Sequence, residues 1–545
     1  MNNMALLTWY SVMIPSPLIA AGFSTVTGAL RRAVDEWGFS YFQADGLACG
    51  DTTTWTEPCD VTYQRAIVLL RAIVPPRDGY LTTCGNHQWL AAGLTDGQRL
   101  GRPVQGGGFA ELYPILRTWA RRYFTNRNFW IGDPGLLHVD LPTEAQSQVW
   151  ASFVAMSGGA TIAGDNLARL SPARLDILKK TLPALGLTAR PCDLFEPPVG
   201  WSPKFPRIWR IRVSKPRVGT WDVVGLYNWT TDVQQNQVSW RGEPQNLVLD
   251  FARHLELDPA KRYVVYDFWR QQYLGAFARE LRVGLEPSSC RVLVIHEETR
   301  NPQLLGDDRL VVSGAEAWRQ IRWDPERMIL AGQIQTTRGI VYSLAIHVPR
   351  QWMPATAIAN GQAVPIQTPD RGACAISFNT GSTGQVDWSV QFKRSTAAPE
   401  STADSRLNYI PVPAPDASLP EITLRQLRPS WTDQGHDSEG GSIALNEQSD
   451  VGTVAPFWIC WDISRYSSNH PILLADLGVV GEGRIAGEVV GDGRRLFLSQ
   501  PLPKGQTIPI RVAVGGLREL LLVCHDVDGG NNAARGVFRH PRLTR

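Results

Sequence analysis

Residues 37–47 read WGFSYFQADGL, and the order of residue types in this stretch decides how the chain folds. FSYFQADGL (39–47) is a short apolar run that ends on Asp45 and Gly46. That length and the flanking glycines suit a buried strand with Asp45 at its C-terminal end. Before it, VTGALRRAVDEWG (26–38) spaces its apolar residues as a helix does. After it, a loop rich in Gly, Thr and Pro (48–61) leads into a helical run, TYQRAIVLLRAIV (62–74). The alternation continues through strand-like GYLTTCG (79–85), helical AELYPILRTWARRYFT (110–125) and strand-like FWIGDP (129–134). TEAQSQVWASFVAMSGG (143–159) predicts a helix closed by Gly, and ATIAGDN (160–166) another strand. Ser171 is a suitable N-cap for the next helix, with Pro172 at its first position. Strand–helix alternation predicts a parallel sheet covered by helices, either closed as a barrel or open.

From about residue 200 the texture changes to short strands separated by turns, such as RIWRIRV, TWDVVGLYNW, RVLVIHE and VDWSVQF. This predicts a β-sandwich. A stretch rich in Ser, Ala, Pro and Asp follows and reads as a linker. Beyond it, IAGEVVGDGRRLFLS, IPIRVAVGG and RELLLVCHD predict a second β-rich block. The chain has 545 residues, too many for one core. The expected fold class is multidomain α/β plus all-β: a barrel-like segment over 1–195, a sandwich over 196–395, a linker over 396–425 and a second sandwich over 426–545.

Composition narrows the function classes. A formal net charge of +3, with scattered Lys and Arg, gives no footprint for nucleic acid or an anionic membrane. The 20 Trp are expected mainly as packing, although Trp faces also suit sugar rings. The eight Cys show no CxxC or His-paired spacing, so no metal is expected. Cys49 and Cys59 are left open between a loop disulfide in an exported protein and buried thiols. The apolar N-terminus lacks a basic start and is interrupted by Pro15 and Pro17, which argues against a cleaved signal peptide. No other stretch reaches the ~18 apolar residues of a membrane span. The compartment is not fixed by these features.

Taken in order, the segments resemble the α-galactosidase (melibiase) and raffinose-synthase-like glycoside hydrolases. WGFSYFQADGL resembles the family's nucleophile strand, WGF-D-Y-x-K-x-D. LTTCGNHQWLAAGLTDGQRLGRPV resembles its CG turn and D-G-M-R-I-G-x-D-V run. FWIGDPGLLHV resembles W-x-N-D-P-D-x-L, and AMSGGATIAGDNL resembles LSGGM-x-x-LSDDL. WDVVGLYNW and NPQLLGDDRLVVSGAEAW resemble the β-domain that follows. The resemblance spans roughly 20–395 and implies a partial (β/α)8 TIM-type barrel followed by a β-sandwich. GDGRRLF (491–497) and VDGGNNAARGVFRHPRL resemble the carbohydrate-binding module often fused to these enzymes, NPCBM. VAPFWICWDISRY stands where that module usually has GLG-x-H-A.

The resemblance implies a retaining glycosidase acting on α-linked galactosides, with Asp45 as nucleophile. It implies substrate-binding roles for Cys84, Arg99, Asp133 and Asp165, an oligosaccharide partner, and no cofactor. Retention needs a second carboxyl group about 5–5.5 Å from the first, to protonate the leaving oxygen. The family's acid aligns with Pro103, which has no proton to give, and Arg102 beside it is a cation. Asp96 aligns with a different family Asp, which leaves Glu111 and Asp133 as local carboxyls. Gln43 replaces the family Lys, Gly135 the second Asp of N-D-P-D, and Asn166 the second Asp of LSDD. His87 follows the CG turn and is expected to be structural. Only 38 residues precede the nucleophile strand, where the family has three βα units. The expectation is a late reading-frame start, a remodelled fold or a second chain completing the barrel. The alternative to an enzyme is a carbohydrate-binding or scaffold protein derived from one, or a truncated product. Asn228-Trp229-Thr230 forms a glycosylation sequon, expected as strand packing, and GEGRIAG (481–487) lacks the Lys and helix of a phosphate loop.

Overall fold

The computed structural model describes residues 10–11, 28–45, 59–74, 79–84, 88–101, 104, 108–195, 205–231, 233–235, 238–240, 244–368, 372–381, 384–395, 406–407, 418–424, 427, 429–434, 444–445, 451–455, 457–528 and 534–545. The first part is the expected α/β alternation. Strands β1 (Tyr10–Ser11), β2 (Tyr41–Asp45), β3 (Tyr80–Cys84), β4 (Gly97–Arg99) and β5 (Ile131–Asp133) form one parallel sheet in chain order. Helices α1 (28–35), α2 (Cys59–Ile73) and α3 (Tyr113–Arg122) lie between them in sequence. A parallel pair, β6 (Leu136–Leu137) and β7 (Ile162–Ala163), flanks helix α4 (Glu144–Ser157). Ala160 N donates to Gly132 O at 2.8 Å, which lays the start of this pair alongside β5. Helix α5 (Pro172–Lys179) closes the segment. Among the described residues one strand, β1, precedes β2.

The helix ends follow their sequence signals. Gly158 ends α4 with φ 67°, a left-handed turn that an L side chain resists. Added bulk there would also meet the Leu187 backbone. Ser171 Oγ accepts from Arg174 N at 3.3 Å, and Pro172 follows it as expected. Glycine is required at Gly132 and Gly159 for a different reason: a Cβ at either would strike the Trp119 ring of α3.

Residues 190–407 form more sheets than the two of a single sandwich. A six-stranded sheet is built on Ile208–Lys215, Gly219–Asn228, Arg262–Asp267, Gln272–Ala278 and Ser289–Glu297, with Arg190–Pro191 at one edge. One face packs on the small sheet of Gln245–Asp250 and Glu280–Leu285, through Val224, Leu226, Val265, Leu293 and Leu281. The other face packs on α4. Phe153 meets Trp209 and Trp229 edge-on at 5.5 and 5.9 Å, and Trp269 Nε1 donates to Ser152 Oγ at 2.8 Å. The α/β segment and this sheet therefore share one core. Two further antiparallel sheets, within 303–379 and 318–394, make a second layered unit. The finer division was invisible in sequence because short strands and turns look alike in one sandwich or two.

The stretch expected as a linker contributes two short strands. Arg406–Leu407 pairs in parallel with Arg282–Val283, and Glu421–Thr423 pairs with Arg542–Thr544. The last block is two facing sheets around Phe457, Ile459, Trp461, Leu477, Leu522 and Phe538. Most described Trp are packing, as expected: Trp119, Trp150, Trp221, Trp229, Trp318 and Trp461 are fully buried. Asn228 of the sequon is buried, with its amide donating to Leu285 O at 3.0 Å. GEGRIAG runs into a strand, Ile485–Gly491. No described helix is long and apolar enough to cross a membrane.

Candidate functional site at the strand ends

The register of the parallel sheet brings the predicted residues together. Ser11 is the partner of Asp45, Cys84 of Arg99, and Arg99 of Asp133. β2 and β3 run Tyr41↔Tyr80 through Ala44↔Thr83, so one more step places Asp45 level with Cys84. Asp45, Cys84, Arg99 and Asp133 thus form one row across the C-terminal ends of four adjacent strands. A barrel builds its active sites at that edge. Of Asp45 the structure describes the backbone, as the last residue of β2.

Alternation fixes which face each residue shares. Ala44 and its neighbours on one face meet Tyr63, Ala66 and Ile67 of α2. The opposite face, turned from the helices, carries Tyr41, Gln43, Tyr80, Thr82, Cys84, Arg99 and Asp133. Tyr41 and Tyr80 stack at 5.3 Å with rings 7° apart. Gly97 leaves room for Tyr80, because a Cβ there would collide with the Tyr80 hydroxyl and Thr82. Gln43 Nε2 reaches Cys84 Sγ at 4.0 Å, and that thiol points to Ala44 O at 3.5 Å.

The inner face is polar, with Thr82, Arg99 and Asp133 buried and Tyr41, Gln43 and Tyr80 half-buried. Burial pushes the Tyr41 phenol up to about 12, and the Asp133 charge adds to it. Burial also raises the Asp133 carboxyl above its usual range, against the pull of the Gly135 N–H and Arg99. Gly135 N donates to Asp133 Oδ1 at 2.7 Å. Gly135 itself has φ 90°, a left-handed turn that glycine makes without strain.

The remaining predicted residues divide by position. Asp165 follows β7 and lies apart from the row in sequence. Its Oδ1 is 3.0 Å from His138 Nδ1, and its Oδ2 accepts from Val139 N at 2.6 Å. No sequence signal marks the His138 contact, since the two residues are 27 apart and belong to different strand ends. Asp96 precedes β4, bonded to Leu81 N at 2.8 Å and to Arg71, at the opposite end from the row. Glu111 lies in the single turn before α3. His87, Arg102, Pro103 and Cys49 lie outside the described residues, as does the Cys59 side chain. No group of three or more metal-ligating side chains occurs among the described residues.

No family model and no curated protein matches the chain. Among solved structures it is similar to α-galactosidase I from Mortierella vinacea, at 13% identity and TM-score 0.37, over 49% of this chain and 70% of that one. It is also similar to an α-galactosidase from Saccharomyces cerevisiae, at 11% identity and TM-score 0.37, over 49% and 74% of the two chains. A family 51 carbohydrate-binding module from a Clostridium perfringens GH95 protein, solved with methyl-galactose, matches at 19% identity and TM-score 0.20, over 23% of this chain and 99% of the module. Likenesses this weak carry no argument about activity or ligand.

Proposed function

We propose that this chain is an α-galactosidase-type glycoside hydrolase that acts on α-linked galactosides, with Asp45 as its nucleophile. The observation that supports this is the shared row: four residues drawn from four separate motifs lie level at the C-terminal edge of one parallel sheet. The Asp45 carboxylate attacks the anomeric carbon, and the leaving oxygen departs with the bonding electron pair. Water then attacks the same carbon, frees the carboxylate and gives its proton to bulk solvent. Arg99, Cys84 and Asp133 line the row beside it and offer hydrogen bonds to the sugar hydroxyls.

One observation favours a second function, galactoside binding without turnover. Asp133 is three strands from Asp45, about 14 Å along a sheet with ordinary spacing. Retention requires carboxyls about 5–5.5 Å apart. Asp133 therefore serves binding rather than proton donation in this proposal.

A substrate whose leaving group needs no proton separates the two. The chain should release dinitrophenolate from 2,4-dinitrophenyl α-galactoside, and Asp45→Asn should slow this at least ~1,000-fold. Equal rates in the two proteins would remove Asp45 from the chemistry. Binding of galactosides by calorimetry, with no release in either protein, would favour the second function.

A further inference from the structure

Away from the strand-end row, a cavity of about 570 Å³ opens where the ends of strands Ser289–Glu297 and Val341–His347 meet the start of Arg262–Asp267. Its size is that of a pocket for a small ligand. Four cations line it, Lys261, Arg262, Arg300 and Arg350, against two carboxylates, Glu297 and Glu298. Glu297 takes Lys261 at 2.9 Å and Glu298 takes Arg262 at 2.9 Å, and four cations against two carboxylates make the lining net positive. His347 lines the same cavity. It is 3% exposed, and its Nδ1 has no hydrogen-bond partner among the described residues. Burial, with His296 and Arg262 adding to it, pushes the imidazole down to about 4, so it is neutral near pH 7.

A second cavity, of about 360 Å³, shares Glu297 and Thr299 with the first. Its walls include Trp221, Trp318 and Trp323. Trp323 is partly exposed, and its Nε1 also has no partner among the described residues. Trp221 and Trp318 are buried beneath this wall, and the partly exposed Trp323 offers the aromatic surface that accepts the apolar face of a sugar ring.

We propose that these two adjoining cavities form a binding site for an acidic oligosaccharide, its carboxylate or phosphate held by Arg300 and its neighbours and its next ring held against Trp323. The site is separate from the Asp45 row and does not depend on catalysis there.

Calorimetry on the full chain tests it at low salt, with oligogalacturonate, a sugar phosphate, a neutral galacto-oligosaccharide and inorganic phosphate as probes. An acidic saccharide should bind at least tenfold more tightly than the neutral one. Whether oligogalacturonate or the sugar phosphate binds more tightly identifies the anion. Arg300→Ala, an exposed change, should weaken that binding about tenfold. Trp323→Ala should weaken the saccharide and leave inorganic phosphate unchanged. Equal binding of acidic and neutral sugars, no binding of any acidic sugar, or full affinity in Arg300→Ala would each overturn the proposal. Asp45→Asn should bind these probes as the wild type does, so this site can fail while the hydrolase proposal stands, or the reverse.

Discussion

Two buried surfaces of this molecule carry opposite chemistry. The six-stranded sheet around Gly219–Asn228 is largely apolar, with Val223 and Tyr227 on the α4 face and Val224 and Leu226 toward the small sheet, and its buried charges are paired as Arg210–Asp222 and Arg291–Asp267. The helix-free face of the parallel sheet carries Tyr41, Gln43, Thr82, Arg99 and Asp133, although Thr82, Arg99 and Asp133 are buried. Burying polar groups costs stability unless each finds a partner. A fold keeps such a surface where it meets a ligand, and keeps the apolar surface where it must hold together. The first sheet is thus the scaffold and the second carries the proposed site.

The largest effect should come from the scaffold. Phe153→Ala removes the ring that joins α4 to Trp209 and Trp229 and should cost about 3–5 kcal/mol. Urea unfolding followed by Trp fluorescence measures this. A loss below ~1 kcal/mol would mean that the α/β segment and the sheet do not share a core.

Next is acid sensitivity. Burial holds His347 neutral with its folded value near 4. The unfolded chain takes up that proton first as pH falls below the usual ~6.5. The stability it contributes is therefore complete above that pH and is lost as pH drops toward 4. Between pH 7 and pH 4 the wild type should lose on the order of 3 kcal/mol more than His347→Gln. Parallel pH profiles of the two proteins would refute the burial argument. Comparing two variants is needed because Asp307, raised to about 6 by burial, works in the other direction.

The site should respond oppositely to the scaffold. Asp133→Asn keeps an acceptor for Gly135 N and removes a buried charge, so stability should change by less than ~1 kcal/mol. Galactoside affinity should fall about tenfold in the same protein, as expected for a lost charged hydrogen bond. A large stability loss with unchanged binding would make Asp133 part of the scaffold. The smallest effect is at the surface. Arg32→Ala breaks an exposed pair with Glu36 and should cost at most ~0.5 kcal/mol.

Much of the scaffold was legible because its signals are local. Apolar runs bounded by glycine marked β2, β3 and β5, and Ser171-Pro172 and Gly158 marked helix ends within a residue. β4 was hidden in a loop-like run because three residues, Gly97–Arg99, are too few to show alternation. The division of the described residues of 190–407 into five sheets, and the use of 406–407 and 421–423 as strands, depend on long-range pairing that residue types alone do not encode. At the site, ordered motifs pointed to Asp45, Cys84, Arg99 and Asp133, and the register brings them level. The same motifs did not reveal that Asp165 holds His138, because neither spacing nor composition connects them.

Covalent trapping tests the central claim most directly. The chain would be incubated with a fluorinated α-galactosyl donor whose glycosyl-enzyme turns over slowly, then digested and mapped by mass spectrometry. The account predicts one added sugar per chain, on Asp45 in the peptide around WGFSYFQADGL. Release of the leaving group with the sugar on another carboxylate, or with no sugar on the protein, would contradict it.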